Sequence, residues 1–266
     1  MSPYTIRILT LNIWNYNDPW PHRRNLIVQT IKDTNPDIIG FQEIRHDGQY
    51  DADGGNQAQQ LAEHLPGYCY IYRPAQKNPE HDRWEGLAIF SRLPILSSSH
   101  IQLSRNPEDD RDNHQRIVLH AELKTPSGPI HFFDTHLSLS QNARNRTVQE
   151  ITAFANRYPL PHILVGDFNE RSDQKAIRHI TDGAGFQDAW NHLHPDDPGH
   201  TYSSENTYIG QKSETQRGRR IDYIFVQASP KSHLVTCKRT ADQPDSEGHF
   251  PSDHFGLIAD ISLDAP

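Results

Sequence analysis

The 266-residue chain has one methionine, two cysteines, and fewer basic than acidic side chains, 26 Lys and Arg against 34 Asp and Glu. Cys69 and Cys237 have no ligand-spaced partner. Nothing therefore supports a cysteine-built zinc site or a disulfide, and two buried free thiols are expected. The formal charge of −8 argues against a broad basic surface for passive nucleic-acid binding. It does not exclude a nuclease, because a bound cation can supply the counter-charge of a phosphate. No apolar run approaches the ~20 residues of a membrane span, so no stable membrane insertion is expected. Met1-Ser2-Pro3-Tyr4 leads straight into strand-like residues, without a basic leader and an apolar signal core. That reads as cytoplasmic.

The chain does have alternating extended and helical patterns. Its length suits one domain over residues 1–266, and 34% hydrophobic with 23% charged residues reads as globular with a polar surface. Strands are predicted at 6–12, 37–43, 68–72, 86–90, 116–123, 130–135, 163–165, 221–226, 233–237 and 257–261. Helices are predicted at 23–32, 57–65, 145–158 and 172–180. Buried runs mixed with hairpin-like pairs predict mixed sheets covered by helices, an α/β layered fold. The long polar loop 191–219 has the length of a functional loop.

Polar residues recur where apolar strands end. In Ile163-Leu164-Val165-Gly166-Asp167-Phe168-Asn169-Glu170, period-two geometry puts Asp167 and Asn169 on one face. An acid beside an amide suits holding a hard cation or positioning a water on a phosphate. A plain turn would use the same residue types. Asn12 ends Leu9-Thr10-Leu11, Glu43 ends Ile38–Gln42, His136 ends Phe132–Thr135, and Asp253-His254 precedes the last strand. Asp222 lies inside the apolar run Ile221–Phe225. A buried carboxylate there needs a partner or a metal, and Arg219 or Arg220 could pair with it. Strand ends converge on one rim of a layered sheet, where ligands tend to bind.

The ordered set T-L-N-I-W, F-Q-E-I, T-H-L, G-D-F-N, R-I-D-Y-I-F and S-D-H-F-G resembles the endonuclease/exonuclease/phosphatase superfamily over nearly the whole chain. That superfamily includes deoxyribonuclease-I-like nucleases, apurinic endonucleases, neutral sphingomyelinases, inositol-polyphosphate 5-phosphatases and tyrosyl-DNA phosphodiesterases. The resemblance implies a four-layer α/β sandwich, two mixed β-sheets flanked by helices, with the site at the rim between the sheets. It also implies a Mg²⁺- or Mn²⁺-dependent phosphoesterase. Glu43 would be the principal metal ligand, with Asn12 and Asp253 beside it. Asp167 and Asn169 would aim the attacking water. His254 would contact a phosphate oxygen, Asp222 would fix its ring, and His136 would be a second phosphate donor or a leaving-group acid.

Substrate choice is less constrained. Arg116, Arg144 and Trp14 are candidate substrate contacts, and Arg146 is a further one, although a solvated helix face is the stronger reading for Arg144 and Arg146. Tyr16, Trp20, Trp84 and Tyr208 lie in loop-like regions and could stack on bases or cover the domain edge. The stretch Gln211–Arg220 concentrates positive charge and could guide a phosphate backbone. Nucleic acid is favoured as substrate, and a monomer is expected. A lipid or small-molecule phosphate ester is the alternative, disfavoured by the lack of an exposed apolar segment. An inactive phosphate-binding module is a third reading, but it would have no need of the full polar set.

Overall fold

The computed structural model describes residues 3–51, 55–210, 218–227 and 232–263. Residues 211–217, most of the basic stretch, lie outside the described residues. The chain runs through β1 (Tyr4–Asn12), α1 (Trp20–Thr34), β2 (Ile38–Asp47), α2 (Gln57–His64), β3 (Cys69–Asn78), β4 (Arg83–Ser91), β5 (Ile95–Gln102), β6 (Ile117–Thr125) and β7 (Gly128–His136). It continues through α3 (Gln141–Ala155), β8 (His162–Asp167), α4 (Lys175–Arg178), β9 (Gln187–Asp188), α5 (Ala189–Leu193), β10 (Tyr202–Ser203), β11 (Gly218–Arg219), β12 (Asp222–Gln227), β13 (Ser232–Thr240) and β14 (Gly256–Leu263). Two six-stranded sheets result, ordered β13-β14-β1-β2-β4-β3 and β5-β6-β7-β8-β12-β9, with β10 and β11 forming a separate ribbon. Both sheets are mixed: β1 pairs parallel with β2 and β7 parallel with β8, and the other ladders are antiparallel.

Period-two alternation builds the layers. Ile6, Ile8 and Ile38 of one sheet meet Phe132, Ile163, Val165, Ile224 and Val226 of the other in a central core. The opposite faces carry Leu9, Leu11, Ile39 and Phe41, which pack with Ile27 and Ile31 of α1 and Leu61 of α2. On the second sheet Phe133, Leu164 and Phe225 pack with Val148 and Ile151 of α3. The order is helix, sheet, sheet, helix, the four-layer sandwich anticipated from the motifs.

Two glycines set how closely these parts approach. A Cβ on Gly40 would lie 2.6 Å from Val165 of the facing sheet. Gly166 has φ +141°, and a Cβ there would lie 1.9 Å from the Thr135 carbonyl oxygen of the parallel neighbour β7. The glycine of G-D-F-N is thus needed where β8 meets β7.

Three expectations are corrected. Cys69 is exposed, on the strand at the sheet edge, while Cys237 is buried; both are free thiols. The strand β5 went unpredicted because Ile95-Leu96-Ser97-Ser98-Ser99-His100-Ile101-Gln102 is serine-rich, and it is an edge strand facing solvent. Residues 76–85, left between the predicted strands 68–72 and 86–90, are largely the end of the β3–β4 hairpin.

Asp134 is fully buried between the sheets, and its Oδ1 accepts from Gln42 Nε2 at 2.7 Å. Burial pushes its carboxyl well above the usual carboxylate range, against the opposing bonds from Gln42 and the Thr135 backbone. The folded state therefore holds a proton that the unfolded chain releases above pH ~4. That contribution to stability is complete below the unfolded pKa and declines as pH rises toward the folded one. Asp134→Asn removes the titration while keeping the acceptor for Gln42. Its melting temperature relative to the native chain is expected to be higher at pH 8 than at pH 5, by thermal unfolding; an equal difference at both pH values refutes the assignment.

Candidate active site

The central core changes character toward one rim. Along each inward face the residues read Ile6, Ile8, Thr10, Asn12 on β1; Phe132, Asp134, His136 on β7; Ile163, Val165, Asp167 on β8; and Val226, Ile224, Asp222 on β12. The ladders set His136 opposite Asp167 and Asp167 opposite Asp222. The polar strand ends therefore meet because they continue the phase of the core.

Glu43 is the exception. In β2, Phe41 faces the helices and Gln42 faces inward, so Glu43 is out of phase by one residue. The β2–β4 register shifts between Phe41 and Ile44, and Glu43 has φ 59°. This bulge re-aims its carboxylate toward the cleft. Trp14, Asn15 and Asn169 also have positive φ. Backbone strain of this kind concentrates where surrounding structure fixes a functional geometry.

The side chains form one connected network. Asn12 Nδ2 donates to Glu43 Oε1 at 3.0 Å and to Asp167 Oδ2 at 3.1 Å, while its Oδ1 accepts from the Trp14 N–H at 2.9 Å. Asn15 Nδ2 donates to Glu43 Oε2 at 3.0 Å. Asn12 thus presents its amide N–H₂ to the carboxylates, with its oxygen occupied by the backbone. Asn169 donates its backbone N–H to Asp167 Oδ1 at 2.8 Å, and its Nδ2 lies 3.0 Å from the Leu137 carbonyl and 3.2 Å from His136 Nε2. His254 Nδ1 is 2.9 Å from Asp222 Oδ2, and its Nε2 is 3.8 Å from Asp167 Oδ2. Ser252 ties the Asp253-His254 segment to β1 by donating to the Asn12 carbonyl at 2.6 Å and accepting from the His254 N–H.

The electrostatics follow from crowding acids in a dry place. Burial, and then the charge of Asp222, push the Asp167 carboxyl up to about 7. Burial pushes Asp253 up to about 6, with Glu43 adding to the effect. Glu43 is raised by burial and by Glu85. His254 moves the other way: burial pulls its ring down, but Asp222, Asp253 and Asp167 together raise it well above the usual range, so it is an imidazolium at neutral pH. Burial and the positive charges of Arg116 and His254 keep His136 neutral.

The donor set fits a hard divalent cation. Among the described residues the Glu43 carboxylate accepts from the neutral amides of Asn12 and Asn15, and the buried Asp222 Oδ1 has no hydrogen-bond partner. Asp167, Asp222 and His254 each bring one candidate ligand atom within 4.8 Å of the others. A protonated His254 would not ligate a metal, which leaves the oxygens of Glu43, Asp253, Asp167 and Asp222 as the chemically suited donors.

The sequence candidates divide clearly. Asn12, Glu43, His136, Asp167, Asn169, Asp222, Asp253 and His254 share this rim. Asp222 pairs with His254; Arg220 pairs instead with Asp188, at 2.7 Å. Trp14 borders the site, its ring 4.9 Å from Tyr208 and 5.0 Å from the Arg23 guanidinium. Arg116 lines a cavity beside His136. Arg144 is buried behind the site and donates to Glu170 at 2.8 Å and to the Ser138 carbonyl at 3.0 Å, which leaves it a structural role. Arg146 is bonded to Ser104 and Asp112.

Two contributors escaped the sequence reading. Arg23, fully buried, donates to the carbonyls of Ile13, Asn15, Asn17 and Pro251 and so shapes the loop that carries Trp14 and Asn15. Only its place on the buried face of a predicted helix could have marked it. Tyr202 sets its ring 5.1 Å from His254, beneath the Arg219 guanidinium at 5.0 Å. The long polar loop was singled out, but no pattern distinguished Tyr202 within it.

Breaking a buried ion pair by removing one partner costs about 3–5 kcal/mol. Arg144→Leu is expected to lower stability by about that amount in denaturant unfolding, and Arg144→Leu with Glu170→Leu to recover a large part of it. A fully stable Arg144→Leu with impaired substrate binding would return this arginine to the cleft.

The Endonuclease/Exonuclease/phosphatase family model matches residues 9–254. A neutral sphingomyelinase-like protein of Caenorhabditis elegans is 26% identical over 301 residues, covering 97% of this chain and 67% of that protein. Nocturnin of Rattus norvegicus is 27% identical over 267 residues, covering 92% of this chain. The match takes in 59% of the rat protein, so the chain spans well under two thirds of that relative's length. The structure of D. rerio TDP2 complexed with single-strand DNA product superposes with a TM-score of 0.76 at 17% identity, covering 97% of this chain and 98% of that one. No described helix is long and apolar enough to cross a membrane. The chain belongs to the Endonuclease/Exonuclease/phosphatase family, hydrolases that act on phosphate esters.

Proposed function

We propose that the chain hydrolyses a phosphodiester with the help of Mg²⁺ or Mn²⁺, with nucleic acid as its favoured substrate class. The observation that carries this reading is the convergence of a carboxylate–amide network (Asn12, Glu43, Asp167) and a carboxylate–imidazole pair (Asp222, His254) on one rim. A cation held by Glu43, with Asp253 and Asn12 beside it, would neutralise charge that develops on the phosphate.

The protein's own groups do the rest. Asp167, lifted to about 7, is suited to accept a proton from water near neutral pH. The backbone N–H of Asn169 fixes the Asp167 carboxylate, and its side-chain amide lies beside His136, where it can orient the same water. As the water oxygen bonds to phosphorus, Asp167 takes its proton, and the bond to the leaving oxygen breaks with its electron pair going to that oxygen, which is then protonated from solvent water. His254, protonated and aimed by Asp222, donates to a non-bridging oxygen whose charge is growing. His136 is neutral, which suits positioning of Asp167 and Asn169 better than delivery of a proton to the leaving group.

The preference for nucleic acid rests on the mouth of the site. Trp14 and Tyr208 make a tilted aromatic pair there, and flat rings can stack on bases. The DNA product bound by the D. rerio relative agrees with this reading. The sphingomyelinase-like relative supports a lipid ester as the second reading. A lipid substrate calls for a contiguous apolar surface. The exposed large apolar side chains among the described residues are Tyr50, Leu96, Leu139, Leu160 and Val235, drawn from separate elements and loops.

Hydrolysis of bis(p-nitrophenyl) phosphate is expected to require Mg²⁺ or Mn²⁺, to stop in EDTA and to return when the ion is restored. His254→Ala should lower turnover ~10²–10³-fold and Asp167→Asn ~10²–10⁴-fold. Activity on DNA or RNA should exceed that on sphingomyelin. Preferential sphingomyelin cleavage would establish the lipid reading, and no hydrolysis of any ester with either ion would leave a binding module.

A further inference from the structure

A cavity of about 190 Å³ opens beside the site, between the β3–β4 hairpin and the segment leading into β6. Its lining includes His136, Arg116, Trp84, Arg45, His114 and Glu85. We propose that this cavity is a second anion subsite, which receives a further phosphoryl group carried on the same substrate as the ester that is cleaved. The proposal rests on the hydrolase reading above and specifies which phosphodiesters that site prefers.

Size is the first argument. Pockets that enclose a whole small-molecule ligand measure ~300–1,000 Å³. This one takes a single chemical group. It is also close to the reacting centre, because the His136 ring on its wall lies 3.4 Å from Asp167. A group held here therefore belongs to the molecule whose phosphate is being attacked.

Chemistry is the second. Arg116 makes no salt bridge among the described residues, and its buried Nε has no hydrogen-bond partner among them. The Trp84 Nε1–H is likewise buried without a partner. The Trp84 ring is already engaged by Lys77 at 5.0 Å and by the His46 ring at 4.7 Å. The buried Nε1 is closed to a ligand in the cavity, so Trp84 forms wall there and offers no donor. Arg45 and Arg83 add positive charge on the wall, although both also approach Asp47, at 3.7 Å and 3.0 Å. Glu85 is the one carboxylate on this wall. The guanidinium charge of Arg116, with Arg45 and Arg83 near it, matches a compact, acceptor-rich anion, and planar guanidinium suits phosphate oxygens.

Coupling to the catalytic network is the third. Arg45 Nη1 is 3.4 Å from Asn15 Oδ1, and the Nδ2 of the same amide holds Glu43. Occupancy of the cavity would thus bear on the geometry of the principal carboxylate.

The test compares a deoxydinucleotide carrying no terminal phosphate, a 5′-phosphate or a 3′-phosphate, with bis(p-nitrophenyl) phosphate as a substrate lacking any second anion. The wild-type chain should show a kcat/KM at least tenfold higher on one of the phosphorylated dinucleotides than on the unphosphorylated one. Arg116→Met should bring that ratio close to one, and Arg116→Lys should retain part of it. A wild-type ratio below about two, or a tenfold ratio that survives Arg116→Met, overturns the proposal. Calorimetric binding in EDTA of a nucleoside 3′,5′-bisphosphate against the 5′-monophosphate gives a readout independent of turnover. Tighter binding of the bisphosphate that is lost in Arg116→Met supports the subsite, and equal affinities overturn it. Failure to cleave even the aryl diester with either ion instead defeats the hydrolase reading, and the binding comparison then decides the subsite alone.

Discussion

Crowding carboxylates where water is scarce is the constraint on which this molecule turns. Glu43, Asp167, Asp222 and Asp253 converge on one rim, and His254 is the imidazolium among them. Left to itself such a cluster would repel its own members and pull the sheets apart. The neighbouring groups hold the shape without cancelling the charge. Asn12 bridges Glu43 and Asp167, Asn15 grips Glu43, and the Asn169 backbone N–H grips Asp167. These donors are neutral, so the acids stay basic enough to accept a proton or hold a cation. A rim built with lysines in their place would be more stable and chemically idle.

The same constraint explains which arginines are near the site and what they do. Arg23 saturates itself on backbone carbonyls, Arg144 on Glu170 and Arg220 on Asp188. Each neutralises or organises structure just behind the cleft, where a free guanidinium would otherwise collapse onto the catalytic acids. Arg116 remains, on the cavity wall with His136, within electrostatic reach of Glu43 and without a salt bridge among the described residues. Positive charge is thereby kept at the edge of the cleft.

Much of this was legible in the sequence because the site continues the core. A strand whose inward positions run Ile163, Val165, Asp167 announces both its burial and its polar end, and six such ends in order point to one rim. The Glu43 bulge was not legible, since F-Q-E-I reads as an unbroken strand; the carboxylate could be picked out by motif, but its route into the cleft depends on pairing with β4. Arg144 was misplaced for a related reason. A basic residue at the start of a helix looks solvated until the partner, Glu170, arrives from another strand end. Tyr202 and Arg23 act through tertiary neighbours that leave no local period, and β5 is too polar and too near the edge to declare itself.

Specificity then has to come from somewhere other than the field of the whole molecule. An acidic chain repels polyanions at long range, so a phosphate ester is selected by contacts made after it arrives. The rim supplies two kinds, separated in space. In the reading proposed above, the rim acids, His254 and a bound cation would recognise the reacting phosphate, which every phosphodiester has, and the Trp14–Tyr208 pair and the Arg116 cavity would meet groups that only some phosphodiesters carry. Because Trp14 and Tyr208 stand on loops and Arg116 on the segment before β6, these side chains can change without disturbing the phase relation that assembles the acids.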